Sequence, residues 1–534
     1  GLYKLVTEKD GGVYRPERGV YWNEWSKANG GKDYLKNELY PEMGDGWGVD
    51  YGLGYDTGEK TSTGSVDKVY VFLGQYHYSF WYYVQGIIIA LSDAYLYTGD
   101  AKYARAGAIL IDRIADVLPE YDELKTFPSK KYEATDGGSG AGKILGRIQD
   151  ATLLKWMSVA CDVFYPVIEN DDEQVISYLS ERAKKYGLEN DKSDSHKIWK
   201  NWEENILLET YDAIKKSIIN GNYGMKQDLL SAAAVVLDRE PETSEMIEWI
   251  FNTDTGDEKT YATGGDFYST IIDKVDRDGM GNEASPNYNL YWVTRLYQMA
   301  DNLAKYKGEK NYNPYDNPKF AKMFTSMIPV ILTGDHTAQI GDTGTTAGVE
   351  VSGSLVALKS AFMNLKDNPK YAKPLAQYIY IMNGYTTDNL CYSVWDDNPE
   401  SLKNEVERLI DVNGEMESEL MSGFGFGVLR AGANYKSYSS ANTVNNARDM
   451  WIYFGSNSGH GHKDTLTLGM EAFGLNVAPD LGYPSTTGTD PERLQWISTT
   501  VSHNTVTVNK KEQKVHTETQ TPLHFDDGGK AKVM

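Results

Sequence analysis

The strongest constraint on the fold is a helical spacing of apolar residues that runs from about residue 80 to 410 and then stops. Phe80, Val84, Ile87, Ile88, Leu91 and Tyr95 fall on one stripe, the pattern of a helix with one buried face. Thr98-Gly99-Asp100 then supplies a glycine stop and an Asp N-cap. Tyr103, Ala106, Leu110, Ile114 and Val117 open a second stripe, so an antiparallel helical hairpin is predicted. Similar stretches recur near 144–165, 171–186, 203–219, 225–238, 286–306, 317–332, 354–365 and 370–383. Paired helices on this scale build a solenoid or a closed α/α toroid. No fixed-period repeat is visible, which favours the toroid.

Around residue 415 the texture changes. Phe424 to Leu429, Met450 to Phe454, Thr465 to Met470 and Asn504 to Val508 read as short strands between Gly, Asn and Ser turns. The expected class is α+β and multidomain: a toroid over 1–415, then an antiparallel, sandwich-like β-sheet domain over 416–534. That β part holds about 120 residues, short for two packed sheets. It is therefore expected to continue beyond Met534.

Charge narrows the partners. The 53 Lys+Arg against 76 Asp+Glu give a net −23, which argues against nucleic acid or an anionic membrane surface as partner. The longest aliphatic run, Ile87 to Leu91, is too short to span a bilayer, so no transmembrane segment is expected. Cys161 and Cys391 allow one disulfide at most and no thiolate metal site. The 39 tyrosines outnumber Phe (14) and Trp (12) together, and amphipathic rings suit flat, polar ligands such as sugars.

Five of the eight histidines, His460, His462, His503, His516 and His524, lie in the β part. In Gly459-His460-Gly461-His462-Lys463-Asp464, strand alternation would put His460, His462 and Asp464 on one face. Such a cluster suits a metal or acid–base chemistry. With Asp480 and His503, His462 would make a His-Asp-His shell of the N/O type zinc accepts. The alternative is a hydrogen-bonded polar patch under a turn. Gly137 to Lys143 looks like a phosphate loop, but Ile144 stands where Ser or Thr is required and no apolar strand leads in. Nucleotide binding is rejected, and no organic cofactor is expected.

Two loop–helix junctions stand out. In Asp278-Gly279-Met280-Gly281-Asn282-Glu283-Ala284-Ser285-Pro286-Asn287-Tyr288, Ser285 reads as N-cap and Pro286 as the first helical residue. Tyr288 falls in the first turn, where the helix dipole favours a phenolate. In Asn222-Tyr223-Gly224-Met225-Lys226-Gln227, Asn222 is either a plain N-cap or part of a carboxylate-binding helix start.

Together these segments resemble the heparinase II/III-like polysaccharide lyases, a family that includes oligoalginate lyases. The likeness rests on Gly459 to Asp464, Asp480-Leu481-Gly482-Tyr483-Pro484 and Ser502-His503-Asn504-Thr505-Val506 in the β part, and upstream on Asn222 to Gln227 and Glu283 to Tyr288. It implies an α/α toroid followed by an antiparallel β domain, and β-elimination on a uronate polymer such as heparin, heparan sulfate or alginate. It makes Tyr288 and His460 catalytic, His462, Asp480 and His503 the ligands of a structural zinc, and Asn222 part of the segment that neutralises the substrate carboxylate. Many members carry a His in that segment and this chain has none, which puts Lys226 forward as neutraliser. Arg147, Gln75, Tyr76, His77, Trp81 and Glu283 are further candidates for holding an anionic oligosaccharide. Secretion or a periplasmic location follows from that substrate class. On the same residues, a uronate C5-epimerase or a non-catalytic polysaccharide-binding protein is the alternative. An α/α-toroid glycoside hydrolase ranks below both, since no carboxylate pair can be singled out among 76.

Overall fold

The computed structural model describes residues 72–121, 142–145, 148–219, 221–256, 261–309, 312–333, 336–344, 353–390, 399–432, 434–435, 446–483, 492–528 and 531–534, with four two-residue strands before residue 72. These fall into two compact units, one reaching Ile250 and including Asp254–Gly265, the other holding Phe251–Thr253 and Asp266–Met534.

The first unit is helical. Its helices are α1 (Phe72–Thr98), α2 (Ala101–Val117), α3 (Asp150–Glu169), α4 (Glu173–Tyr186), α5 (Ser195–Trp202), α6 (Glu209–Lys215), α7 (Met225–Leu237) and α8 (Glu242–Phe251). The Gly99-Asp100 junction works as the sequence predicts: Gly99 takes φ +65°, and the Asp100 carboxylate accepts the Lys102 amide. The 203–219 stretch is less regular, because α5 passes through a π-helical segment, Glu203–Leu208, before α6. Helix α3 is the hub and packs on α1, α2 and α7. Among the described residues it alone has the length and apolarity to cross a membrane, but 67% of that window is buried inside the protein. Cys161, on this helix, is a free and buried thiol whose proton affinity is raised by that burial. Cys391 lies outside the described residues.

The second unit continues with α9 (Phe267–Asp273), α10 (Pro286–Lys305), α11 (Pro318–Met323), α12 (Leu355–Leu365), α13 (Pro369–Met382) and α14 (Pro399–Leu409). The helix predicted over 317–332 stops early. After α11 the chain turns through Ile328–Val330 into a two-residue strand, Ile331–Leu332, paired with His336–Thr337. Then comes one antiparallel sheet, with β1 (Glu419–Met421), β2 (Phe426–Ala431), β3 (Arg448–Tyr453), β4 (Thr467–Ala472) and β5 (Leu475–Asn476) in sequential order. The class is thus the expected α+β, helices first and an antiparallel sheet after. Three strands match the sequence reading to within two residues at most ends. Asn504 to Val508 does not: it forms bends and an isolated bridge at Val508.

On β4 the usual alternation is inverted, and β3 buries a charged residue beside its aromatics. Asp449, Trp451, Thr467, Gly469 and Glu471 are buried while Met450, Leu468 and Met470 are exposed. The two buried carboxylates face cationic groups: Asp449 accepts the Thr333 amide at 2.6 Å and pairs with Arg430 at 3.2 Å, and Glu471 lies 3.1 Å from His336. Gly469 faces Trp451 across the ladder. A Cβ there would lie 1.9 Å from the indole, so the missing side chain is what seats the Trp.

Candidate active site

Helix α10 begins as the sequence predicts, with Ser285 at the N-cap and Pro286 first in the helix. The Ser285 hydroxyl does not cap the helix. It donates instead to the carbonyl of Asp342 at 2.8 Å and shares a 2.7 Å hydrogen bond with Thr343 Oγ1. The Ala284 amide meets the Ser458 and Gly459 carbonyls at 3.2 and 3.1 Å. These contacts dock the start of α10 on the loop that carries His460.

That loop is not a strand. Residues 459–464 are bends and irregular backbone, and His460 sits at φ +50°. The predicted common face of His460, His462 and Asp464 is therefore corrected. His460 points to the surface, its side chain 42% exposed, whereas those of His462 and Asp464 are fully buried.

The His460 imidazole lies flat on the Tyr288 phenol, 3.5 Å between ring centroids with 5° between planes. Its Nδ1 hydrogen-bonds Glu283 Oε2. The Tyr288 hydroxyl donates to the Tyr483 hydroxyl at 3.2 Å. Glu283, His460, Asn282, Ser458, Gly459 and Thr517 line an open recess of about 410 Å³. The expectation of a dipole-stabilised phenolate is not met. Burial, the Tyr483 hydrogen bond and the nearby Asp342 charge push the Tyr288 proton affinity well above that of an ordinary phenol.

Beneath lies the second cluster. His462, Asp480 and His503 are buried, with one candidate ligand atom from each within 4.8 Å of the others. His462 Nε2 is 2.9 Å from Asp342 Oδ1, which leaves Nδ1 buried without a hydrogen-bond partner. His503 Nδ1 is 2.6 Å from Asp480 Oδ2, and its Nε2 is likewise without a partner. Burial lowers the His503 proton affinity, but the bond and charge of Asp480 with the Asp464 charge outweigh it, so the ring is held above the ordinary imidazole value. Asp464 Oδ2 accepts the Gly341 amide at 3.0 Å. Burial raises the Asp464 carboxyl above its usual range even though both imidazoles pull the other way. Two buried imidazoles, a buried carboxylate and ring nitrogens without partners fit a borderline-soft divalent ion. The 2.6 Å Asp480–His503 contact would have to widen to admit one.

The other candidates belong to the first unit. Asn222 is exposed and Lys226 half-buried, at the start of α7 in the first unit. The N-cap there is Gly224 rather than Asn222, and Gln227 closes the turn by accepting the Gly224 amide at 3.1 Å. Trp81 is a core side chain, 3% exposed, edge-on to Phe80 and Tyr121, so its ring offers no face to a sugar. Gln75, Tyr76 and His77 are on α1, their side chains outside the described residues, as is Arg147. Lys143, from the rejected phosphate-loop segment, is buried in an ion pair with Glu209. The sequence reading missed Asp342, Arg493 and Tyr483 as site residues. Gly341-Asp342-Thr343-Gly344 looks like any turn, and only the fold brings it under His462.

Residues 420–530 match the family described as heparinase II/III-like, C-terminal. The resemblance carried by the Gly459–Asp464 and Ser502–Val506 motifs is thus found again over the whole β-rich segment. No curated protein matches the chain. Solved structures with some likeness include a mutant heparan sulfate lyase HepC from Pedobacter heparinus, 14% identical with TM-score 0.46, covering 90% of this chain and 62% of its own. A heparinase III, the BT4657 gene product, is 16% identical with TM-score 0.48, covering 100% of this chain and 66% of its own. This chain therefore spans about two thirds of the length of those proteins.

Proposed function

We propose that the chain cleaves a uronate-containing polysaccharide, a glycosaminoglycan or alginate, by β-elimination, leaving an unsaturated uronate end. The observation that carries this reading is the Tyr288–His460 stack at the recess beside Glu283. Elimination needs a base for the weakly acidic C5 proton and an acid for the C4 oxygen. The Glu283 carboxylate beside Nδ1 holds the imidazole proton on that nitrogen, which leaves the Nε2 lone pair as the base. Tyr288, whose surroundings keep it protonated, is the acid. The C5–H electrons become the C4=C5 double bond, the C4–O bond breaks, and the departing oxygen takes the Tyr288 proton. His460 then returns its proton to the stacked phenolate.

The substrate carboxylate must be quenched while negative charge builds at C5. On the motif alone that task falls to Asn222 and Lys226. His462, Asp480 and His503 would hold a zinc ion, which when bound would crosslink the loops beneath the stack. Secretion or export follows from the substrate class.

The test is the mass of the product. Elimination gives a fragment lighter by one water than hydrolysis does. Exchange of the C5 proton with solvent deuterium and no chain cleavage would replace the lyase with an epimerase.

A further inference from the structure

Asp342 is 1% exposed, and a buried carboxylate is costly unless every lone pair is used. Here the residue is used four ways. Oδ1 faces His462 Nε2 at 2.9 Å, and Oδ2 accepts from Arg493 Nη2 at 2.7 Å. The backbone amide donates to the His460 carbonyl at 2.9 Å. The backbone carbonyl accepts the Ser285 hydroxyl at 2.8 Å, at the first turn of the Tyr288 helix.

The neighbouring backbone is shaped for this contact. Gly341 sits at φ +54°, and a Cβ there would lie 2.5 Å from the His460 carbonyl oxygen, so only glycine lets the two loops approach so closely. The Gly341 amide is in turn fixed by Asp464 at 3.0 Å. One short loop thus touches the His462 ring, the His460 backbone and the α10 N-cap.

We propose that Asp342 is a positioning residue: it orients His462 toward a divalent metal through its side chain and sets the Tyr288–His460 stack through its backbone. By accepting the Nε2–H, its carboxylate leaves the lone pair of His462 on Nδ1, the atom that is buried without a partner. Carboxylates that orient metal-binding imidazoles this way typically govern metal affinity by about 10–100-fold. The catalytic half of the proposal rests on the lyase reading, while the metal half does not.

The experiment is zinc titration of the metal-stripped full chain by competition with a chromophoric chelator, alongside steady-state kinetics. Asp342→Asn is expected to weaken zinc about 10–100-fold, because the carboxylate charge that holds the His462 ring is lost while the backbone contacts to His460 and Ser285 are kept. Ser285→Ala is expected to lower kcat and leave zinc affinity intact, which separates the backbone arm from the side-chain arm. Should Asp342→Asn fail to fold, Arg493→Gln frees Oδ2 and is expected to weaken zinc in the same direction. Unchanged zinc affinity in folded Asp342→Asn, or a wild-type chain that takes up no zinc, overturns the proposal. Weakened zinc binding alongside a wild-type chain that cuts no polymer would sink the lyase reading and leave the metal assignment standing.

Discussion

The two units bury charge differently. In the first, the described buried cations are lysines, each committed to carboxylates: Lys192 to Asp112 and Asp116, Lys155 to Asp228 at 2.7 Å, and Lys143 to Glu209. In the second, the described buried cationic groups are Arg430 and three histidines, His336, His462 and His503. Each histidine faces a carboxylate. A lysine spends its one nitrogen on the pair. An imidazole facing a carboxylate still has a second nitrogen to offer. Pairing in the first unit therefore uses up the cationic nitrogen, while in His462 and His503 of the second it leaves one ring nitrogen without a partner. The same contrast appears within one loop: His460 and His462 are two residues apart, yet one side chain is 42% exposed and the other fully buried.

Breaking a lysine pair tests the framework side and has the largest expected effect. Lys192→Met leaves the buried Asp112 without its cation and Asp116 with Arg113 alone, and costs about 3–5 kcal/mol, visible as a drop in the denaturation midpoint. Zinc uptake by the folded fraction is expected to be unchanged. Loss of zinc in that variant would erase the distinction between the units.

On the histidine side, His462→Ala is expected to abolish stoichiometric zinc binding. It should also remove the rise in melting temperature that zinc gives the wild type. Glu283→Gln is a milder change: it keeps the hydrogen bond to His460 and removes the charge. Its kcat should fall, but by less than the ~10²–10⁴ typical of losing an acid–base group outright, with KM little altered.

The last test is of pH dependence and concerns Asp276, in the loop leading to α10. Burial and the Asp278 charge push its carboxyl up to about 7 despite hydrogen bonds from the Asp278 and Met280 amides. A folded-state value above the usual 3.8 means its contribution is fully present below about pH 4 and is lost as pH rises through 7. Asp276→Asn should flatten stability between those limits, and an unchanged pH dependence would contradict that account.

Much of this was legible in the sequence because it is local. Helical period and caps placed α2, α4, α7 and α10 within a few residues, while α3, expected from 144, starts only at Asp150, and Ser285-Pro286 marked the start of the helix that carries Tyr288. Where the reading failed, long-range contacts decide the outcome. Alternation misplaced His460 because its left-handed backbone breaks the strand period. Asn504 to Val508 has strand composition but lacks a ladder partner along most of its length. Asp342 stayed invisible because its four partners come from segments 57 to 151 residues away. Helix α5 was missed because Ser195 to Trp202 is only eight residues long, although its Asp194 cap, accepting the Lys197 amide, and the buried Ile198 and Trp202 one turn apart both signal it.

The central claim is that Tyr288 and His460 together perform an elimination. The direct test offers the protein heparan sulfate, chondroitin, hyaluronan and alginate in turn, following the ultraviolet absorbance of the unsaturated uronate, with Tyr288→Phe in parallel. A rise on one polymer with the wild type, lost in a Tyr288→Phe protein that still binds that polymer, is the predicted result. An equal rise in the variant, or bound polymer that neither protein cleaves, would contradict it.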